Sequence, residues 1–193
     1  MKKKINIEYL KKGDLVAIAF VAKYIKLKMC TFSIDRLKTE GFNILKIDQK
    51  SLKRSGMFSG KEDDRIEHFQ SLLDNPNIRA IFFARGGYGT IKIIDKLRFD
   101  KFYNHPKWLV GFSDITTIFA HINYYYHTPV IHAPMIYNFP YSSKKSLSML
   151  FKGLKGRLQS IQIKSHYLNK PGLVESEIIG GNLSILCSLL GSK

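Results

Sequence analysis

The feature that most constrains the fold is a set of nearly uninterrupted apolar runs, each followed by a stretch of helical period. Leu15-Val16-Ala17-Ile18-Ala19-Phe20 and Ile78-Arg79-Ala80-Ile81-Phe82-Phe83-Ala84 hold a single polar side chain between them. Continuous runs of this length suit strands buried on both faces, the environment of a parallel sheet. Phe42-Asn43-Ile44-Leu45-Lys46-Ile47, Trp108-Leu109-Val110 and Thr128-Pro129-Val130-Ile131-His132 read as three further strands. Between the runs, residues 29–39, residues 61–74, a stretch carrying Ile91, Ile94 and Leu97, and the stretch from Ile115 to about 127 repeat apolar residues at helical spacing. Gly41 and Asn75-Pro76-Asn77 stop the first two helices. Residues 48–60 and 101–107 read as loops. The alternation predicts an α/β fold with a mainly parallel sheet flanked by helices and joined by right-handed crossovers.

After Pro134 the texture changes. Residues 136–174 read as a linker, with a short helical stretch around 147–154 and an alternating strand over 158–163. Glu177-Ile178-Ile179-Gly180-Gly181-Asn182-Leu183 then leads into an apolar helix over 183–190. The expected organisation is an N-terminal α/β domain over 1–135, a linker region over 136–174, and the truncated start of a second domain over 175–193.

A chain of 193 residues can bury a full core. No stretch has the apolar length of a bilayer span. Met1-Lys2-Lys3-Lys4 is not followed by the apolar segment of a secretory leader, so the expected location is the cytoplasm, with no membrane partner. Cys30 and Cys187 lie too far apart in sequence for metal or redox spacing. The net charge is +16, from 31 basic and 15 acidic residues. It leaves three readings open: an anionic small substrate, nucleic acid, or the solvated surface of a lysine-rich chain. Nucleic acid is the least favoured, because no aromatic-basic RNA motif or zinc spacing accompanies the charge. The oligomeric state is left open, a homodimer included.

Two strand-to-helix turns carry the chemistry. Arg85-Gly86-Gly87-Tyr88-Gly89 follows one buried strand, and Gly111-Phe112-Ser113-Asp114 follows the next. In an open parallel sheet, ligands bind at the carboxyl ends of the strands, where both turns fall. Glycines there let backbone approach a ligand, and free N–H groups at a helix start can hold an oxyanion. Ser113 at such a turn suits a nucleophile. Ser113-Asp114 also suits an ordinary helix N-cap, and the glycines suit tight turns or a phosphate. No lysine and hydroxyl residue follow the glycines as in a P-loop. A serine nucleophile needs a base, and His132, at the end of a strand on this edge, is the best local candidate.

Read in order, the chain also carries Lys12-Gly13-Asp14, Phe58-Ser59-Gly60 with Asp63-Asp64-Arg65, Arg85-Gly86-Gly87-Tyr88-Gly89, Gly111-Phe112-Ser113-Asp114-Ile115-Thr116, His132-Ala133-Pro134-Met135 and Gly180-Gly181-Asn182-Leu183. This assembly closely resembles the LD-carboxypeptidase family of serine peptidases (family S66), which includes the microcin-immunity peptidases. The resemblance covers nearly the whole chain. It implies a cytoplasmic hydrolase of cell-wall recycling that removes the terminal D-Ala from a murein tetrapeptide, without a metal or nucleotide cofactor. It further implies Ser113 as nucleophile, with the N–H groups of Asp114 and Gly87 as the oxyanion hole.

The sequence also departs from the family. Where members carry a Ser-Pro-Ala-Gly-like turn after the first strand, this chain has Phe20-Val21-Ala22-Lys23. Ala133 stands in place of a glycine. The family's catalytic glutamate and histidine lie beyond the Gly-Gly-Asn-Leu helix, and no residue of this sequence matches them. The resemblance therefore implies a nucleophile without its base, and a 193-residue chain of little or no activity on its own; the alternative reading is a non-catalytic remnant or a basic binding module.

Overall fold

The computed structural model describes residues 5–157 and 160–192. In chain order the elements are β1 (Leu15–Ala19), α1 (Thr31–Thr39), β2 (Asn43–Ile44), β3 (Arg54–Ser55), β4 (Phe58–Ser59), α2 (Glu62–Asp74), β5 (Ile78–Phe83), α3 (Asp100–Asn104), β6 (Trp108–Gly111), α4 (Thr116–Tyr126), β7 (Ile131–His132), α5 (Lys144–Leu154) and α6 (Leu183–Ser188). The five-stranded sheet has the order β2-β1-β5-β6-β7, and every pair in it is parallel. β3 and β4 form a separate antiparallel hairpin. The expected α/β architecture is therefore present.

The three central strands, β1, β5 and β6, are buried on both faces, and this explains the continuous apolar runs. Along β5, Ile81 and Phe83 pack toward α2 and α4, while Ala80 and Phe82 pack toward α1 and α5. Along β1, Ala17 and Ala19 go one way and Val16 and Ile18 the other. The helices close the two layers with Phe69, Leu72 and Leu73 of α2 and with Leu147, Leu150, Phe151 and Leu154 of α5. Burying an aromatic or branched side chain of this size contributes about 1.5–3 kcal/mol.

Two buried basic side chains finish α2. His68 Nε2 accepts the Phe20 N–H at 3.2 Å, and burial pushes the imidazole down to about 4, so the ring is neutral. Lys107, fully buried, donates to the carbonyls of Leu72, Leu73 and Asn75 at 3.1, 2.9 and 2.6 Å. It thereby satisfies the carbonyls left open at the end of the helix.

Several local expectations are corrected. The helix expected after Gly89 is instead two 3-10 turns, Thr90–Lys92 and Ile94–Lys96, which still bury Ile94. The loop over 101–107 overlaps the short helix α3, which turns Phe102 into the core against Phe99. Residues 136–154, expected in a linker, pack into the core through Ile136, Phe139 and α5. Of the strand expected over 158–163, residues 158–159 lie outside the described residues. Residues 160–163 form no strand, and Ile161 and Ile163 are 77% and 80% exposed. Among the described residues no helix is long and apolar enough to cross a membrane.

Candidate active site

The strand order runs outward from β1 in two directions, with β2 on one side and β5 on the other. Such a reversal opens a crevice at the carboxyl ends of the central strands. Three turns meet there, leaving β1 at Phe20, β5 at Ala84 and β6 at Phe112.

The turn after β6 is a strained elbow. Phe112 is extended, with φ −161° and ψ −170°. Ser113 then takes φ +62°. Among the described residues only Ser113 and His127 adopt positive φ without being glycine. Left-handed backbone costs about 1–2 kcal/mol at a residue with a Cβ, so the surrounding structure must hold it. A 3-10 turn, Ser113–Ile115, follows and runs directly into α4. Ser113 therefore stands half-buried at a strand end, ahead of a helix start in which the Ile115 N–H already donates to Phe112 O at 3.3 Å and the Thr116 N–H to the Ser113 and Asp114 carbonyls.

Gly86 makes room for it. A Cβ built on Gly86 would stand 3.1 Å from Ser113 Cβ, 3.2 Å from Ser113 Oγ and 3.2 Å from Met135 Cε. Gly86 is buried, whereas Gly87 beside it is exposed and left-handed, with φ +118°. Among the described residues the Gly87 N–H donates to no acceptor. The tandem thus divides its work: Gly86 permits the approach of the serine, and Gly87 turns the chain outward with its amide free. Sequence reasoning named Gly87 and Asp114 but missed Gly86 as the residue against the hydroxyl. The paired glycines were the available signal.

Asp114 has a further part that sequence spacing does not disclose. Its carboxylate accepts the Thr90 N–H at 3.0 Å, and its carbonyl accepts the Thr90 hydroxyl at 2.7 Å. Burial raises its carboxyl above the usual range, while the bonds from Thr90, the Arg65 charge and the Gly89 N–H oppose the rise. Arg65, only 2% exposed, donates from Nη1 to Val21 O at 3.0 Å and to Gly89 O at 3.1 Å. Its guanidinium lies 4.6 Å from the centre of the Phe58 ring. Burial lowers its affinity for the proton, and the charges of Glu62 and Asp114 act the other way. One buried cation and one buried carboxylate thus tie all three turns together.

The other expected residues fall as follows. His132 is exposed, its ring 6.0 Å from that of Phe112, and among the described residues no side chain hydrogen-bonds the Ser113 hydroxyl. His68 is committed to the core. The Gly180-Gly181-Asn182 stretch reaches α4 one turn behind the serine, where the Asn182 N–H donates to Thr116 Oγ1 at 3.0 Å. A Cβ on Gly181 would come within 2.5 Å of Thr116 Cγ2, which explains the glycine there.

Comparison with known proteins agrees with this fold. The family model of the LD-carboxypeptidase N-terminal domain (Peptidase_S66) matches residues 14–133, more than half of the chain. A probable murein peptide carboxypeptidase of Bacillus subtilis is 28% identical over 95% of this chain and 59% of its own length. The murein tetrapeptide carboxypeptidase of Pseudomonas aeruginosa is 28% identical over 69% of this chain and 47% of its own. The crystal structure of muramoyltetrapeptide carboxypeptidase from Oxalobacter formigenes superposes with a TM-score of 0.81 at 24% identity, over 92% of this chain and 60% of that one. The chain thus spans about half to three-fifths of the length of these relatives. From the elbow, the glycine pair and the match over 14–133, the chain belongs to the LD-carboxypeptidase family, of which it carries the N-terminal domain.

Proposed function

We propose that this chain carries the nucleophile and oxyanion-holding part of a serine LD-carboxypeptidase, acting on the bond before the terminal D-Ala of a murein tetrapeptide. The observation that carries the reading is the left-handed Ser113 at a strand-to-helix elbow, with Gly86 packed against its side chain. A non-glycine residue held in that conformation marks an imposed geometry.

In this mechanism Ser113 Oγ attacks the carbonyl carbon of the penultimate residue, and the hydroxyl proton passes to a base. The carbonyl oxygen becomes an oxyanion, received by the Asp114 and Gly87 amides. Preorganised donors of this kind are worth about 3–4 kcal/mol each in the transition state. Collapse of the intermediate breaks the C–N bond, and D-Ala leaves as its amine after taking the proton. Water then hydrolyses the Ser113 ester by the reverse use of the same groups. Among the described residues no side chain hydrogen-bonds the Ser113 hydroxyl, and the base is assigned to no residue of this chain.

The test supplies that base from solution. The chain is incubated with an LD-tetrapeptide in rising imidazole, and free D-Ala is measured by a coupled assay. Release that grows with imidazole and falls to background in Ser113→Ala is the expected result. Release that survives Ser113→Ala would overturn the assignment.

A further inference from the structure

The geometry points to Lys23 as the residue that receives the free carboxylate of the substrate's C-terminus, a specificity determinant that rests on the carboxypeptidase reading. Lys23 follows β1 at the crevice. Its backbone N–H donates to Gly86 O at 3.3 Å, so it is tied to the residue packed on Ser113. Its stem lies along the neighbouring Gly87: a Cβ built there would stand 2.9 Å from Lys23 Cβ and 3.3 Å from Cδ. The side chain is exposed, and among the described residues its ammonium has no ion pair and no aromatic platform.

The other cations near the three turns are engaged. Arg65 is buried on Val21 O and Gly89 O. Arg85 donates to Tyr24 O at 3.1 Å and lies 4.7 Å from the Tyr137 ring centre. Lys92 sits 5.8 and 5.7 Å from the Phe58 and Tyr88 ring centres. The carboxylate beside the elbow, Asp114, is buried and bonded to Thr90. An anionic ligand reaching the Gly86–Gly87 turn therefore meets one uncommitted cation and no exposed carboxylate on these turns. A peptide cut at its last bond carries its terminal carboxylate one residue from the reacting carbonyl, within reach of a lysine rooted beside the oxyanion turn.

The test measures binding, so that turnover is not needed. The 193-residue chain carrying Ser113→Ala is titrated calorimetrically with an LD-tetrapeptide ending in D-Ala as the free acid, and with the same peptide as its C-terminal amide. The acid is expected to bind about tenfold tighter, the scale of one charge-assisted contact. Lys23→Gln brings the ratio to about one, and Lys23→Arg retains it. Both peptides binding with a ratio unmoved by Lys23→Gln would overturn the Lys23 assignment alone. Failure of either peptide to bind would overturn it together with the carboxypeptidase reading.

Discussion

Gly86→Val is expected to lower imidazole-supported D-Ala release by about 100-fold or more while the chain stays folded, because displacing reacting groups by about 1 Å costs rate on that scale. The backbone of Gly86 is not left-handed, so a larger residue meets no conformational barrier there. Its obstacle is space. A single Cβ would already stand 3.1 Å from Ser113 Cβ and 3.2 Å from Met135 Cε, and two more methyl groups have nowhere to go in a buried position. Overpacking of this kind costs about 1–3 kcal/mol of stability. Turnover and urea denaturation, measured on the same samples, separate the two effects. A Gly86→Val protein that released D-Ala at the unaltered rate would show that Gly86 is not packed against a working nucleophile.

Arg65→Leu is expected to give the largest stability loss, about 3 kcal/mol or more, since a charge-assisted hydrogen bond is worth about 1.5–3 kcal/mol and two are lost. The Val21 and Gly89 carbonyls lose the donor, and the buried Asp114 carboxylate loses the nearby positive charge. Equilibrium denaturation gives the value directly. A shift below about 1 kcal/mol would contradict the role of Arg65 as the tie between the three turns.

The parts of the fold that sequence pattern discloses are those dominated by burial on two faces. β1, β5 and β6 lie inside the apolar runs because each neighbouring residue must enter one of two cores. The segment after Gly89 misleads for a related reason. Ile94 and Leu97 are buried at helical spacing, but the backbone there forms two 3-10 turns, Thr90–Lys92 and Ile94–Lys96. Residues 160–163 alternate like a strand yet have no paired neighbour, and alternation alone forms no ladder. At the site, Ser113 and the glycine pair were visible as turn chemistry. The Arg65–Thr90–Asp114 tie was not, because each of its four hydrogen bonds joins residues 24 or more positions apart, which no local period encodes. Lys23 likewise has meaning only once β1 and β5 are known to be neighbours.

The central claim is that the turn at Ser113 is built to hold an oxyanion, and a thiol placed there reports on it without needing a base. In Ser113→Cys, the pH dependence of iodoacetamide alkylation at each cysteine is followed by peptide mass spectrometry. Cys30 is buried, with its thiol pushed up to about 11, and Cys187 is exposed on α6, so both serve as internal references. Free amides and a helix start lower a thiol from its ordinary value of about 8.5. The expected result is an alkylation midpoint at position 113 below about 7. A midpoint at or above about 8.5 would mean that the elbow does not stabilise negative charge, and the account of Ser113 as a nucleophile would fall with it.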